Sequence, residues 1–266
     1  MGVLAAERIK LTSTRSPWWG TALAIVFSLG ITALFALLLN VSMNAYKENP
    51  QDFPEAPYAE NALAGLGITG AAGMPGFGYI LIMILAALAV TSEYRFGTIR
   101  ATFLAVPHRA SVLVTKAGMI AVGAAVLSAI LTFLSFLILR AVTDAEVGGR
   151  LSLTDGDLTV FYGVPIFIAL AVFLAVAVGA LVRQSAGALS LLIVWPVLIE
   201  PIIGAFGRWG REIQVFLPFQ NANRFLGLEN PDLPWHWGPW PALFYFAAFV
   251  AVIFGAALYV VNKRDA

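Results

Sequence analysis

Charge is missing from long stretches of this chain. Residues 16–46, 61–92, 117–139, 158–182 and 233–262 contain no Asp, Glu, Lys or Arg, giving runs of 31, 32, 23, 25 and 30 positions. A sixth run, 184–199, covers 16 positions. A helix needs roughly 20 apolar residues to cross a bilayer core. Five runs reach that length and one falls just short. A transmembrane β-barrel would show alternating segments of about ten residues instead. The pattern therefore predicts an all-α, polytopic membrane protein in which residues 1–266 form one transmembrane domain. Composition agrees: 60% of residues are hydrophobic and 12% charged, where a soluble domain carries about 45–50% and about 25%.

Spans are expected at 18–39, 73–92, 112–139, 160–182, 184–206 and 240–261. Connecting segments rich in Lys and Arg stay in the cytoplasm. Ten of the sixteen basic residues fall in the segments that share a side with the N-terminus. Both termini are therefore expected inside a bacterial cell membrane. The cytoplasmic portion is then thin: an N-terminal arm, a loop at 93–111, a few residues around Arg183 and a short tail. It leaves no room for a soluble catalytic domain, so energy-using machinery would belong to a separate chain.

The remaining composition closes several functional classes. There is no cysteine, which removes disulfides and thiolate chemistry. The two histidines, His108 and His236, have no second ligand type at metal spacing. A net charge of +1 leaves no nucleic-acid footprint. None of the four lysines precedes Ser or Thr, so the phosphate-cradling loop of an ATPase is absent. The chain is expected not to be an enzyme and to hold no cofactor or metal of its own. Residues 65–70 match G-x-G-x-x-G by letter, but no strand precedes them and Pro75 breaks the run after them. Asp155 and Asp157 are expected to form a capping turn before the fourth span.

Three features carry site expectations. Trp18 and Trp19 stand where an aromatic belt anchors a helix in the headgroups, that is, in contact with lipid. The arm before them, Leu4 to Ser16, is expected to form a surface helix ended by Pro17. The fifth charge-free run is short for a bilayer, and Glu200 and Pro201 interrupt it. A broken fifth span is expected, with re-entrant pieces within 202–228. Glu200 and Pro201 are candidates for the outer mouth. Glu200 either ends the span in the headgroups or faces water, a partner or a cargo, since a carboxylate in lipid is costly. The loop Glu93-Tyr94-Arg95-Phe96-Gly97-Thr98-Ile99-Arg100 continues to Pro107 and Arg109. Ile99, Phe103 and Val106 lie three or four apart, which predicts a short surface helix opened by a Gly97-Thr98 turn and N-cap. It serves either as a membrane-lying connector or as a docking element for a cytosolic partner.

Two stretches resemble a known family, the permease subunits of type-2 ATP-binding-cassette exporters. Glu7-Arg8-Ile9-Lys10-Leu11 through Arg15-Ser16-Pro17-Trp18-Trp19 is similar to the family's N-terminal arm. Glu93-Tyr94-Arg95-Phe96-Gly97-Thr98-Ile99-Arg100, with Pro107 and Arg109, is similar to its E-Y-x-x-G-T-I-R loop and basic end. The resemblance implies that residues 93–109 hold a cytoplasmic coupling helix that contacts an ATPase. It implies two copies of that ATPase, which would carry ATP and Mg, and a second permease chain, identical or homologous. The cargo would be hydrophobic or amphipathic, since the spans hold almost no charge to bind an ion: a drug, a lipid or a peptide. The alternative from another class is a membrane scaffold or sensor that docks a cytosolic partner without moving cargo.

Overall fold

The computed structural model describes residues 15–71, 74–105 and 108–263, with Ala5 and Ile9 of the N-terminal arm. The expectations for Glu7, Arg8, Lys10, Leu11, Val106 and Pro107 lie outside the described residues, as does the side chain of Arg100. The fold is helical. Six helices are long and apolar enough to cross a membrane: span one Trp18–Glu48, span two Phe77–Arg95, span three Arg109–Val142, span four Thr159–Val182, span five Ser185–Gly204 and span six Pro239–Lys263. Between spans two and three lies the short helix Thr98–Ala105; between five and six lie Gly207–Gln214 and Pro218–Phe225.

The helix of span one begins at Arg15 and runs through Pro17. The expected stop at Pro17 is therefore corrected. In the first turn an N–H has no intrahelical acceptor, so proline there removes nothing the helix uses. Trp18 and Trp19 are 66% and 71% exposed at this end, the position expected of interface anchors.

Span four is the hub. It packs against spans two, three, five and six, and 61% of its most apolar window is buried, against 22% for spans one and five. A helix that is apolar all round belongs in an interior or in lipid, and this one has the most neighbours to bury against. Asp157 Oδ1 accepts the Thr159 N–H at 2.8 Å, the expected cap before the span. Runs of small residues let the helices close up. Ala24, Ser28, Thr32 and Ala36 on span one are buried, as are Ala171, Ala175 and Gly179 on span four. The equivalent run on span six turns outward, with Ala251 and Gly255 exposed.

The largest departure from expectation is in the first long connection. The expected spans leave residues 40–72 as an outer loop, with span two starting at 73. Instead Asn61–Gly65 forms a 3-10 turn and Leu66–Thr69 a single helical turn, and Asn61, Ala64 and Leu66–Thr69 are buried. The segment folds inward between spans one, three and four. A Cβ on Gly67 would collide with the carbonyl oxygen of Ser28. Ser28 lies about 30 Å from the Glu48 end of span one, at 1.5 Å per residue. The chain thus descends to the middle of the bundle before span two begins at Phe77, beside Phe27, with ring centroids 5.9 Å apart. Backbone polar groups survive at such depth only against protein or water. Asn61 ties the segment to the connection before span four, donating from Nδ2 to the carbonyls of Ser152 (2.6 Å) and Asp157 (3.0 Å) and accepting the Ser152 N–H. A two-residue antiparallel ladder, Gly70–Ala71 with Met74–Pro75, ends the descent. Two of the glycines in the G-x-G-x-x-G letters are steric: Gly67 lets one backbone touch another, and Gly65 leaves room for the Val160 side chain.

Gly67→Ala is expected to cost about 1–3 kcal/mol, the usual range for overpacking. Gly30→Ala, with nothing within 4 Å of its Cβ, should be neutral. Thermal unfolding of both variants in detergent checks this; equal midpoints would show that the inward fold is not tightly packed at Gly67.

Candidate functional site

Two regions bring together the residues singled out in the sequence. The first lies at the end of the bundle that carries Arg95, Arg109, Lys116, Arg183 and Lys263, the basic end. Span two stops at Arg95. Phe96 N–H still bonds to the Ser92 carbonyl, and Gly97 N–H to that of Tyr94. Gly97 then takes φ +70°, a left-handed conformation open to glycine and costly for other residues. This turn lets the next helix, Thr98–Ala105, leave at an angle. The N-cap expected at Thr98 is corrected: Thr98 is the first helical residue, and its hydroxyl donates backward to the Glu93 carbonyl at 3.4 Å. The hydroxyl ties off the end of span two instead of opening the short helix.

The short helix is held by one face. Ile99 is 6% exposed, and Phe103 packs partly buried against the core. Both line a small cavity with Tyr94, Val112 and Val261, which come from spans two, three and six. The opposite side is bare and apolar: Phe96 is 72% exposed and Leu104 88%. Arg95 and Arg109 lie over the rings of Phe96 and Phe103 at 5.6 and 5.5 Å.

Glu93 faces the interior of the bundle. Its carboxylate is buried and pairs with Lys116, Nζ to Oε1 at 2.9 Å, with both residues under one-tenth exposed. Lys116 stands about two turns into span three. Arg183, in the left-handed conformation at the end of span four, lies 5.1 Å from the centre of the Tyr94 ring. Ser185 opens span five and donates to the Thr91 hydroxyl at 2.9 Å. The end of span two is thereby fastened to spans three, four and five. Sequence reasoning misses Lys116, Arg183, Thr91 and Ser185 as partners. Lys116 carries a signal: a lone cation at the edge of a long apolar run needs a counter-charge.

The second region surrounds Glu200. The fifth span does not stop there. Its helix passes from Ser185–Val194 through a wider turn at Trp195–Ile199, where Glu200 N–H reaches the Trp195 carbonyl five residues back, and continues to Gly204. Pro196 and Pro201 each lack a donor, and the wider turn absorbs the mismatch. The span then has 20 residues, about 30 Å, enough for a bilayer. The interruption expected at Glu200-Pro201 is a local widening inside one crossing. The short helices Gly207–Gln214 and Pro218–Phe225 are eight residues each, too short to cross.

Glu200 itself faces inward, with no exposed surface. Its Oε1 accepts the Phe219 N–H and the Trp195 indole N–H, each at 3.0 Å, and Oε2 accepts the Gln220 N–H at 3.0 Å. Phe219 and Gln220 lie in the first turn of helix Pro218–Phe225, whose N-cap residue is Leu217, with no side chain able to cap. Glu200 therefore caps a helix 18 positions downstream and opposes the positive end of its dipole. Its carbonyl accepts from Gln214 Nε2 at 3.0 Å. The expected headgroup or water-facing position of Glu200 is corrected: a carboxylate with three donors is solvated by protein. Pro201 stays exposed at the rim of the adjoining cavity.

Among the described residues, no group of three or more His, Cys, Asp or Glu side chains is placed to hold a metal. Comparison with protein-family models and with curated proteins gives no match. The fold and composition define the class: a multi-pass α-helical membrane protein with six spans.

The Glu93–Lys116 pair should couple in a double-mutant cycle. With Glu93→Gln and Lys116→Met, we expect a coupling of about 0.5–3 kcal/mol in unfolding free energy. Each single change should be the more damaging step, because it leaves one charge buried. Additive effects within about 0.3 kcal/mol would show that the pair contributes nothing specific.

Proposed function

We propose that the chain is the transmembrane permease subunit of a type-2 ATP-binding-cassette exporter. It sits in a bacterial cell membrane with both termini and the basic end in the cytoplasm. Two copies of an ATPase subunit bind there and supply ATP and Mg chemistry; a second permease chain, identical or homologous, completes the path. The cargo is hydrophobic or amphipathic.

The observation that carries the reading is the helix Thr98–Ala105. A passive connector needs no fastening. This one is anchored by Ile99 and by the Glu93–Lys116 pair at its root, while Phe96 and Leu104 stand free. Such a helix is a lever: force applied to its bare side passes to spans two, three, four and five through the contacts at Glu93, Tyr94 and Thr91. Two packings of the bundle, one favoured by the ATP-closed partner, would make this a transport cycle, and the partner shifts it only by its differential affinity for the two. The resemblance of residues 93–100 to the family's coupling loop points the same way. The distribution of basic residues supports the orientation.

The experiment is isolation of the chain from its native membrane with any bound ATPase. A partner bearing a Walker phosphate loop should co-purify, and hydrolysis should require it. The partner-free chain should bind no ATP at micromolar concentration. Phe96→Asp with Leu104→Asp, both on exposed side chains, should abolish co-purification and leave the chain monodisperse. Retention of the ATPase by that double variant would overturn the docking assignment, and absence of any such partner would overturn the exporter reading.

A further inference from the structure

A cavity of about 400 Å³ opens at the end of the bundle opposite the helix Thr98–Ala105, the acidic end, whose connections carry Glu60, Glu146, Asp157 and Asp232. It lies between the inward-folded segment, spans two, four and five, and the two short helices. Its floor is aromatic and buried: Tyr79, Phe167 and Phe219, with Tyr79 packed edge-on to Phe167 at 5.4 Å. Ligand pockets run from about 300 to 1,000 Å³, so this one takes a small group.

The lining separates into groups already bonded and groups left over. The Glu200 carboxylate has its three donors, Thr69 donates to the Gly65 carbonyl, and Gln214 donates to Glu200. Four functional groups that reach the cavity have no hydrogen-bond partner among the described residues: the Tyr79 hydroxyl, the Asn223 amide, the Arg211 guanidinium and the Asp232 carboxylate. Tyr79 is 5% exposed and lines the cavity, and its hydroxyl makes no hydrogen bond among the described residues. Arg211 and Asp232 are exposed at the rim and do not pair with each other. A cation and an anion held apart around one polar hollow fit a ligand that carries both signs.

The surface beside the rim adds a second requirement. Pro201, Gly204 and Ala205 line the cavity. Interleaved with them, Leu198, Ile202 and Phe206 are 51%, 47% and 69% exposed, and Trp209 comes next at 72%. Leu198 and Ile202 belong to span five, Phe206 to the turn after it and Trp209 to the next helix. Exposed apolar side chains therefore flank the cavity mouth, where acyl chains would lie.

We propose that this cavity binds the zwitterionic headgroup of an aminophospholipid from the leaflet at the acidic end. The phosphate sits on Arg211, the primary ammonium on Asp232, and a headgroup or glycerol oxygen on the Tyr79 hydroxyl, with acyl chains along Leu198, Ile202 and Phe206. The inference does not depend on the transport reading, since binding is measured on the purified chain alone.

The test uses dihexanoylphosphatidylethanolamine, dihexanoylphosphatidylglycerol and glycerophosphoethanolamine as soluble probes, titrated into the purified full chain by calorimetry. The ethanolamine lipid should bind at least about tenfold tighter than the glycerol lipid, the scale of one charged hydrogen bond. Asp232→Asn should erase that preference. Arg211→Gln should weaken both lipids, and Tyr79→Phe should weaken both by a few-fold. Arg211 and Asp232 are exposed, so their variants should unfold at the wild-type temperature. Equal binding of the two lipids, or a preference that survives Asp232→Asn, would overturn the proposal. Equal binding of glycerophosphoethanolamine and its lipid would overturn the lipid source and assign a water-soluble zwitterion.

Discussion

A hydrocarbon solvent offers no hydrogen bonds, and most of this bundle is built to live in one. Each carboxylate, ammonium or backbone group placed at depth must be answered from within the chain. That requirement explains where the ordered polar contacts fall. Glu200 is answered by the first turn of helix Pro218–Phe225 and by Trp195. Glu93 is answered by Lys116. Asn61, at the start of the inward-folded segment, answers the backbone of Ser152 and Asp157. These contacts act as fasteners between the helices.

The fasteners divide the molecule into two ends with different characters. At the basic end, span two is bound to spans three, four and five, and the short helix Thr98–Ala105 hangs from that junction with apolar residues showing. At the acidic end, span five is bound to the two short helices through Glu200 and Gln214. Span five is thus held at both ends, by Thr91 of span two at the basic end and by the two short helices at the other. Span four, the most buried of the six, packs against both span two and span five. The proposed coupling surface and the proposed lipid cavity lie at the two ends of this arrangement.

The wider turn at Trp195–Ile199 shows how a local irregularity becomes a site. Two prolines five positions apart deprive a regular helix of two donors. The wider turn keeps the helix going and leaves Glu200 facing the bundle. Without it, the carboxylate would have no reason to meet the Phe219 and Gln220 amides, and the cavity would lose the wall made by Pro196, Glu200 and Pro201. Such turns recur at functional sites because they re-aim one side chain without ending the helix.

The sequence by itself determined that the chain is helical and has six segments able to cross a membrane, because charge spacing is a direct readout of the solvent each segment tolerates. It also determined that residues 93–109 contain a turn and a short helix, since a glycine turn and an apolar spacing of three to four are local properties. It placed the Asp157 cap for the same reason. It did not determine that residues 61–69 dive between the spans, because an apolar glycine-rich run reads alike in a loop and in a core; only the packing of Gly67 on Ser28 decides it. Nor did it determine the roles of Glu93 and Glu200. Their partners, Lys116 and the Phe219–Gln220 amides, lie 23, 19 and 20 positions away. Tertiary structure decided those roles, because the free energy of a buried charge depends on which donors the fold brings within about 3 Å of it, and sequence spacing carries no record of that distance.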